Sequence, residues 1–99
     1  MSFEVLFAPR ALSNLDALHR ELARREPGAA VPALRRIEEA VAMLRLFPLS
    51  CRRASEQEDP MLRELLVPFG RAGYVLLFRV VPGQVRVLAA RHQRQGEYF

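Results

Sequence analysis

Arg91, His92 and Arg94 close an apolar run, and Tyr98 and Phe99 follow them. An imidazole between guanidiniums can take up a proton near neutral pH while the cations hold an anion. As a catalyst, His92 would be a general base. As an ordinary residue, it is a strand-end histidine with one hydrogen bond, and a lone histidine favours that reading. Arg71 and Arg79 come earlier, followed by Arg86 and Leu88. The arginines at 71, 79, 86, 91 and 94 could grip RNA phosphates, acidic side chains of a protein, or nothing.

The charge distribution gives these arginines their weight. Residues 60–99 hold six arginines against two glutamates, whereas residues 1–59 hold nine arginines against nine acids, so the net charge of +4 belongs to the last third. A basic block on a balanced chain suggests a surface that meets something acidic. All the basic residues are arginine, with no lysine. That uniformity reads as a codon bias for the set as a whole, because Arg20, Arg24, Arg25, Arg35 and Arg36 fall on polar helix faces beside acids.

Other chemistries are weakly served. Two histidines without a spaced cysteine or acidic partner make no metal site. Gly70 and Gly73 lack the lysine and helix of a phosphate loop. No cofactor is expected. Cys51 has no second cysteine to pair with, which fits a reducing compartment; Arg52 and Arg53 beside it could lower its pKa, but no base stands nearby in sequence. The start carries neither a basic segment nor a long apolar stretch, and no run reaches the ~18–20 apolar residues that cross a bilayer. A cytoplasmic protein that avoids membranes is expected.

The elements that must position these residues follow from periodicity. Residues 2–8 alternate Phe3, Val5 and Phe7 with Glu4, a strand pattern. Pro9 suits a first helical turn, and Ala11, Leu12, Leu15, Leu18 and Leu22 recur at helical spacing until Pro27-Gly28. Asn14, Asp16, Arg20 and Arg24 face elsewhere. A second helix starts near Ala30 with a stripe of Ala33, Leu34, Ile37, Val41, Leu44 and Phe47, and Pro48 ends it. The short link makes the two helices an antiparallel hairpin. Residues 50–60 read as a loop.

Three strands then follow, at 61–67, 73–81 and 84–91, with turns at Pro68-Phe69-Gly70 and Pro82-Gly83. The second is nearly all apolar and hence central. The expected class is α+β: a four-stranded antiparallel sheet with an N-terminal helical hairpin on one face, in the order β-α-α-β-β-β, forming one domain over residues 1–99. Strict alternation presents Tyr74, Leu76, Phe78, Val85, Val87 and Ala89 to the helices. Val75, Leu77, Arg79, Arg86, Leu88 and Ala90 then form a second face of aliphatics mixed with arginines, as binding faces have.

This order, the run Leu65-Leu66-Val67-Pro68-Phe69-Gly70-Arg71-Ala72-Gly73-Tyr74-Val75-Leu76-Leu77-Phe78-Arg79-Val80 and the closing Val87-Leu88-Ala89-Ala90-Arg91-His92-Gln93-Arg94-Gln95 resemble the RelE/ParE superfamily of toxins from bacterial type II toxin–antitoxin systems. The resemblance spans the chain and is strongest over residues 62–95. It implies a toxin held in a hetero-oligomer by a small, partly disordered antitoxin, acidic where it binds.

The family has two branches. RelE-like members cut mRNA on the ribosome, which requires a base for the 2′-hydroxyl, cations for the phosphorane and an acid for the leaving oxygen. ParE-like members inhibit DNA gyrase and have no hydrolytic site of their own. The nucleases place an arginine early in the third strand, where this chain has Val75. They also place a histidine and a tyrosine just after the arginine that ends the fourth strand, where this chain has Gln93 and Arg94. The resemblance therefore leans to the ParE branch, with no catalytic residue carried over. The alternative is a RelE-like nuclease using Arg71, Arg91, His92 and Arg94. In either branch the expected antitoxin or target contacts are Arg71, Arg79, Arg86, Leu88, Arg91, His92, Arg94, Tyr98 and Phe99.

Overall fold

A computed structural model describes residues 2–56 and 59–98. Strand β1 (Glu4–Phe7) leads into helix α1 (Pro9–Arg25), and a short 3-10 turn at Pro27–Ala29 joins it to α2 (Ala30–Leu44). A second 3-10 turn, Pro48–Ser50, precedes β2 (Arg52–Arg53), β3 (Leu62–Phe69), β4 (Ala72–Val81) and β5 (Gln84–His92). The class is α+β as expected, with two corrections. A strand comes first, as the expected order has it, but the sheet has five strands and not four, in the order β1-β5-β4-β3-β2. It is also mixed. Strand β1 runs parallel to β5, pairing Phe7 with Val87, while the other pairings are antiparallel.

The added strand lies in the segment read as loop. Arg52 and Arg53 pair with Glu64 and Arg63 on the edge of β3. Two polar residues carry no periodicity, so nothing local marks them as a strand.

The first β-turn also moves. β3 continues through Pro68 and Phe69, and the chain reverses at Gly70-Arg71, with Phe69 opposite Ala72. Gly70 has φ +61 while Arg71 does not have a positive φ, the pattern of a type II′ hairpin turn. Pro68 is tolerated because β2 pairs only with Arg63 and Glu64, leaving its part of the β3 edge open among the described residues. At the second turn Gly83 has φ +74, which suits the glycine position of a type II turn after Pro82.

Both helices lie on one sheet face. Ala11, Leu22, Ala33, Ile37 and Leu44 meet Val67, Tyr74, Leu76, Phe78, Val80, Val85, Val87 and Ala90 in one hydrophobic cluster. The expected α2 stripe is too long at its end. Phe47 lies past the helix and is exposed, as Leu34 also is, while Pro48 is buried in its place. Asn14 is turned toward the sheet, not away from it. Its Oδ1 accepts the Ala90 N–H at 3.1 Å, where β1 no longer flanks β5. A side chain thus supplies the acceptor a neighbouring strand would have supplied. None of the helices of the described residues is long and apolar enough to cross a membrane.

Gly73 sets how closely β3 and β4 approach. A Cβ there would lie 2.2 Å from the Val67 carbonyl oxygen and 3.0 Å from the Phe69 nitrogen, both backbone atoms that cannot swing aside. Gly73→Ala should therefore destabilise the fold by about 1–3 kcal/mol, as overpacking does. Urea unfolding measures it, and an unchanged midpoint would mean the two strands separate freely at that point.

Candidate functional site

The ladder between β4 and β5 decides where each candidate residue points. Leu77 pairs with Ala89 but Phe78 pairs with Val87, so Leu88 is an extra residue, a β-bulge. Side-chain alternation inverts there. Val85 and Val87 face the helices before the bulge, and Ala90 does so after it. Ala89, expected on the helix side, lies on the opposite face, and Ala90 has taken its place. The same inversion sends Arg91 outward and His92 toward the helices.

On the outward face, Arg91 belongs to a cluster around Glu64. The Glu64 carboxylate accepts from Arg52 Nη2 at 2.9 Å and from the Tyr98 hydroxyl at 2.5 Å, and Arg91 Nη2 lies 3.8 Å away. The side chains of Glu64 and Arg91 are only 11% and 13% exposed. The Arg91 guanidinium sits 5.0 Å from the centre of the Tyr98 ring, and its Nη1 donates to the Gln93 and Gln95 carbonyls at 3.3 and 2.5 Å. Glu64 is on β3 and Arg91 on β5, so a phenol that reaches both must cross over β4 between them. Val75 and Ala89, on this face, are fully buried. Burial, followed by the Glu64 carboxylate as hydrogen-bond acceptor and as charge, pushes the Tyr98 hydroxyl far above the usual phenol range, against the opposing pull of Arg91. Sequence reasoning missed Glu64, although it is the only acid in the otherwise basic stretch 60–96.

On the helix side, His92 meets Tyr74 edge-on, with ring centroids 5.9 Å apart and planes at 85°. Its Nδ1 accepts the Arg94 backbone N–H at 3.1 Å. The neutral ring therefore carries its proton on Nε2 and has no free lone pair for a substrate proton. Burial, then the charges of Arg94 and Arg25, hold the imidazole below its ordinary pKa. In this arrangement the neutral His92 ring offers a donor at Nε2, as suits the strand-end residue with one hydrogen bond rather than a general base. It lines a cleft of about 740 Å³ together with Arg71 and Arg94, beside the C-terminal turn of α1.

Arg79, Arg86 and Leu88 form the third group, on the outward face at the far end. Arg79 and Arg86 are direct cross-strand partners. Arg79 is exposed and bonds Asp59 at 3.1 Å, and Arg86 Nε donates to Gln84 Oε1 at 3.3 Å. The residues expected to form one basic face thus fall into three places: Arg79, Arg86 and Leu88 outward, Arg91 and Tyr98 in the Glu64 cluster, and Arg71, His92 and Arg94 in the helix-side cleft. Phe99 lies outside the described residues. Cys51 is half-buried, and burial raises its thiol pKa against a smaller pull from Arg63, opposite to the effect expected of Arg52 and Arg53.

Residues 5–96 match the family described as the ParE toxin of the type II toxin–antitoxin system, parDE. Toxin RelE3 of Caulobacter vibrioides is 39% identical over 88 residues, covering 89% of this chain and 91% of that protein. Toxin RelE1 of the same organism is 32% identical over 92 residues, covering 93% and 95%. A solved structure described as the chromosomal ParDE system from P. aeruginosa superimposes with a TM-score of 0.70 at 26% identity, covering 93% of this chain and 95% of its own.

The Tyr98–Glu64 contact carries a pH signature. The Tyr98 pKa is raised on folding, so the folded state binds more protons than the unfolded chain above pH ~10, and stability falls as pH rises through that range. Tyr98→Phe should remove a hydrogen bond to a charged group, at about 1.5–3 kcal/mol near pH 7. It should also flatten the loss of stability between about pH 9.5 and 11. Denaturant melts across that range test both effects, and an equally steep decline in the variant would show that the phenol does not couple to folding.

Proposed function

This chain belongs to the RelE/ParE superfamily of toxins of type II toxin–antitoxin systems, and from that premise we propose that it acts as a ParE-like toxin, binding DNA gyrase in the cytoplasm without cutting a nucleic acid. A cognate antitoxin is its partner, as membership of such a system entails.

The observation behind the gyrase reading is the separation of Arg91 from His92. Cleavage at a 2′-hydroxyl needs a base, a cation and an acid around one phosphate. Here the imidazole and the guanidinium lie on opposite faces of β5, and the imidazole Nδ1 is occupied by the Arg94 N–H. Position 75, where the nucleases of the family carry an arginine, holds a fully buried valine.

Two observations favour the RelE-like alternative. Glu64, Arg91 and Tyr98 do converge, and a carboxylate, a guanidinium and a phenol are the types such cleavage uses. In the structure the Glu64 carboxylate is engaged by the phenol and the guanidinium, although Arg91 Nε is buried without a hydrogen-bond partner among the described residues. Both curated relatives are also named RelE toxins. For a nuclease reading, the tail that carries Tyr98 would have to lift before RNA could reach Glu64.

The antitoxin docking surface we propose is the outward group of the exposed Arg79 and Arg86 with the half-buried Leu88, together with the open β3 edge beside the exposed Leu66. An acidic segment could add there as a strand or lie across the face.

Two measurements test these readings. Micromolar toxin should block supercoiling by purified gyrase. Unaffected gyrase, together with mRNA cut in translating ribosomes and spared by Glu64→Gln, would establish the nuclease instead. Arg86→Glu leaves the core untouched and should weaken the antitoxin complex at least tenfold by calorimetry; unchanged affinity would remove this surface from the interface.

A further inference from the structure

The helix-side cleft is a second candidate site, separate from the outward face. Its walls differ in charge. The loop wall carries Arg71, from the β3–β4 turn, and Arg94, from the segment after β5, and both are exposed. Among the described residues, neither has an acid within salt-bridge distance. The helix wall carries Glu21, Arg25 and Glu26. There Glu21 is occupied by Arg24 and lies 3.8 Å from Arg25, so this wall is close to neutral while the loop wall is cationic.

Between the walls the lining is apolar: Leu18 and Leu22 of α1, Phe69 of β3 and the ring of Tyr74. His92 adds a neutral ring whose Nε2–H is free to donate within this arrangement. At about 740 Å³ the cleft is the size of sites that hold several side chains or a drug-sized ligand.

A nucleic-acid strand would present successive phosphates to both walls, and the helix wall offers no spare cation for them, since Arg25 there is flanked by Glu21 and Glu26. A bare anion would leave the apolar lining unused. A peptide suits all three features: a carboxylate between the arginines, an apolar side chain on the leucines and Phe69, and peptide carbonyls for the imidazole donor. Arginine pairs are well suited to carboxylate recognition of this kind.

We infer that this cleft is a peptide-recognition site for a segment of a protein partner in which acidic and apolar residues alternate, with Arg71 and Arg94 meeting its carboxylate and Leu18, Leu22 and Phe69 its apolar side chain. The assignment does not depend on which target the toxin has, so it can fail while gyrase inhibition holds, and the reverse.

The test uses the full ¹⁵N-labelled chain and NMR titration with a capped peptide of alternating glutamate and leucine. Controls are the same peptide with glutamine for glutamate, inorganic phosphate, and a short oligothymidylate. The acidic peptide should shift Arg71, Gly73, His92 and Arg94 amides saturably, and the glutamine peptide should bind at least tenfold more weakly. Arg71→Glu combined with Arg94→Glu, both at exposed positions, should abolish those shifts while leaving the remaining spectrum intact. Should that variant unfold, the comparison of the two peptides on the unaltered chain decides alone. Equal binding of both peptides, tighter binding of oligothymidylate or phosphate, or no shift in the cleft at millimolar peptide would each overturn the assignment.

Discussion

Opposite Leu77 and Phe78 of β4, strand β5 carries one residue more than the ladder can pair, and its side-chain alternation inverts. Everything after Leu88 is placed by that inversion. A strand has a two-residue repeat, so one inserted residue moves every later side chain to the other face. Arg91 goes out to Glu64 and Tyr98, and His92 goes in to Tyr74 and the end of α1. Without the bulge the two would exchange faces, placing the imidazole beside Glu64 and leaving the guanidinium against the helices.

The bulge also governs the electrostatics. A lone buried carboxylate would be costly in an apolar sheet face, and a lone guanidinium equally so. Brought together on adjacent rows, Glu64, Arg91 and Arg52 largely compensate one another, and the Tyr98 hydroxyl completes the shell. The segment 93–98 is thereby held across the sheet by its own carbonyls bound to Arg91. The excess positive charge of the last third is therefore not one uniform face. Part of it is engaged inside the cluster, and what remains accessible sits at two ends: Arg79 and Arg86 outward, Arg71 and Arg94 beside α1. Accessible charges of this kind act at a distance of about a Debye length, ~8–10 Å in physiological salt, and steer acidic partners to either end.

The helical layer supplies the opposite wall of the cleft and little of its charge. The exposed pairs on α1, Asp16 with Arg20 and Glu21 with Arg24 and Arg25, contribute modestly to stability and mainly keep that wall near neutral. Asn14 ties α1 to β5 just past the bulge, and Gly73 lets β4 press against β3 at the cleft's other side. Small and polar residues thus register the two layers, while the apolar cluster holds them together.

Much of this was legible from residue order. The alternation of Phe3, Val5 and Phe7, the helical stripes through Leu22 and Leu44, the apolar run from Tyr74 to Val81 and the turn at Pro82-Gly83 each express a local period, and local periods survive folding because the backbone repeats them. What the tertiary structure decided was relational. The parallel pairing of β1 with β5 joins segments some eighty positions apart, and the two-residue strand at Arg52–Arg53 exists only because β3 offers an edge. The bulge at Leu88 depends on the partner strand's register. A side chain's face is a property of a pair of strands, so types and spacing alone could name the arginines and the histidine but could not say which of them share a surface.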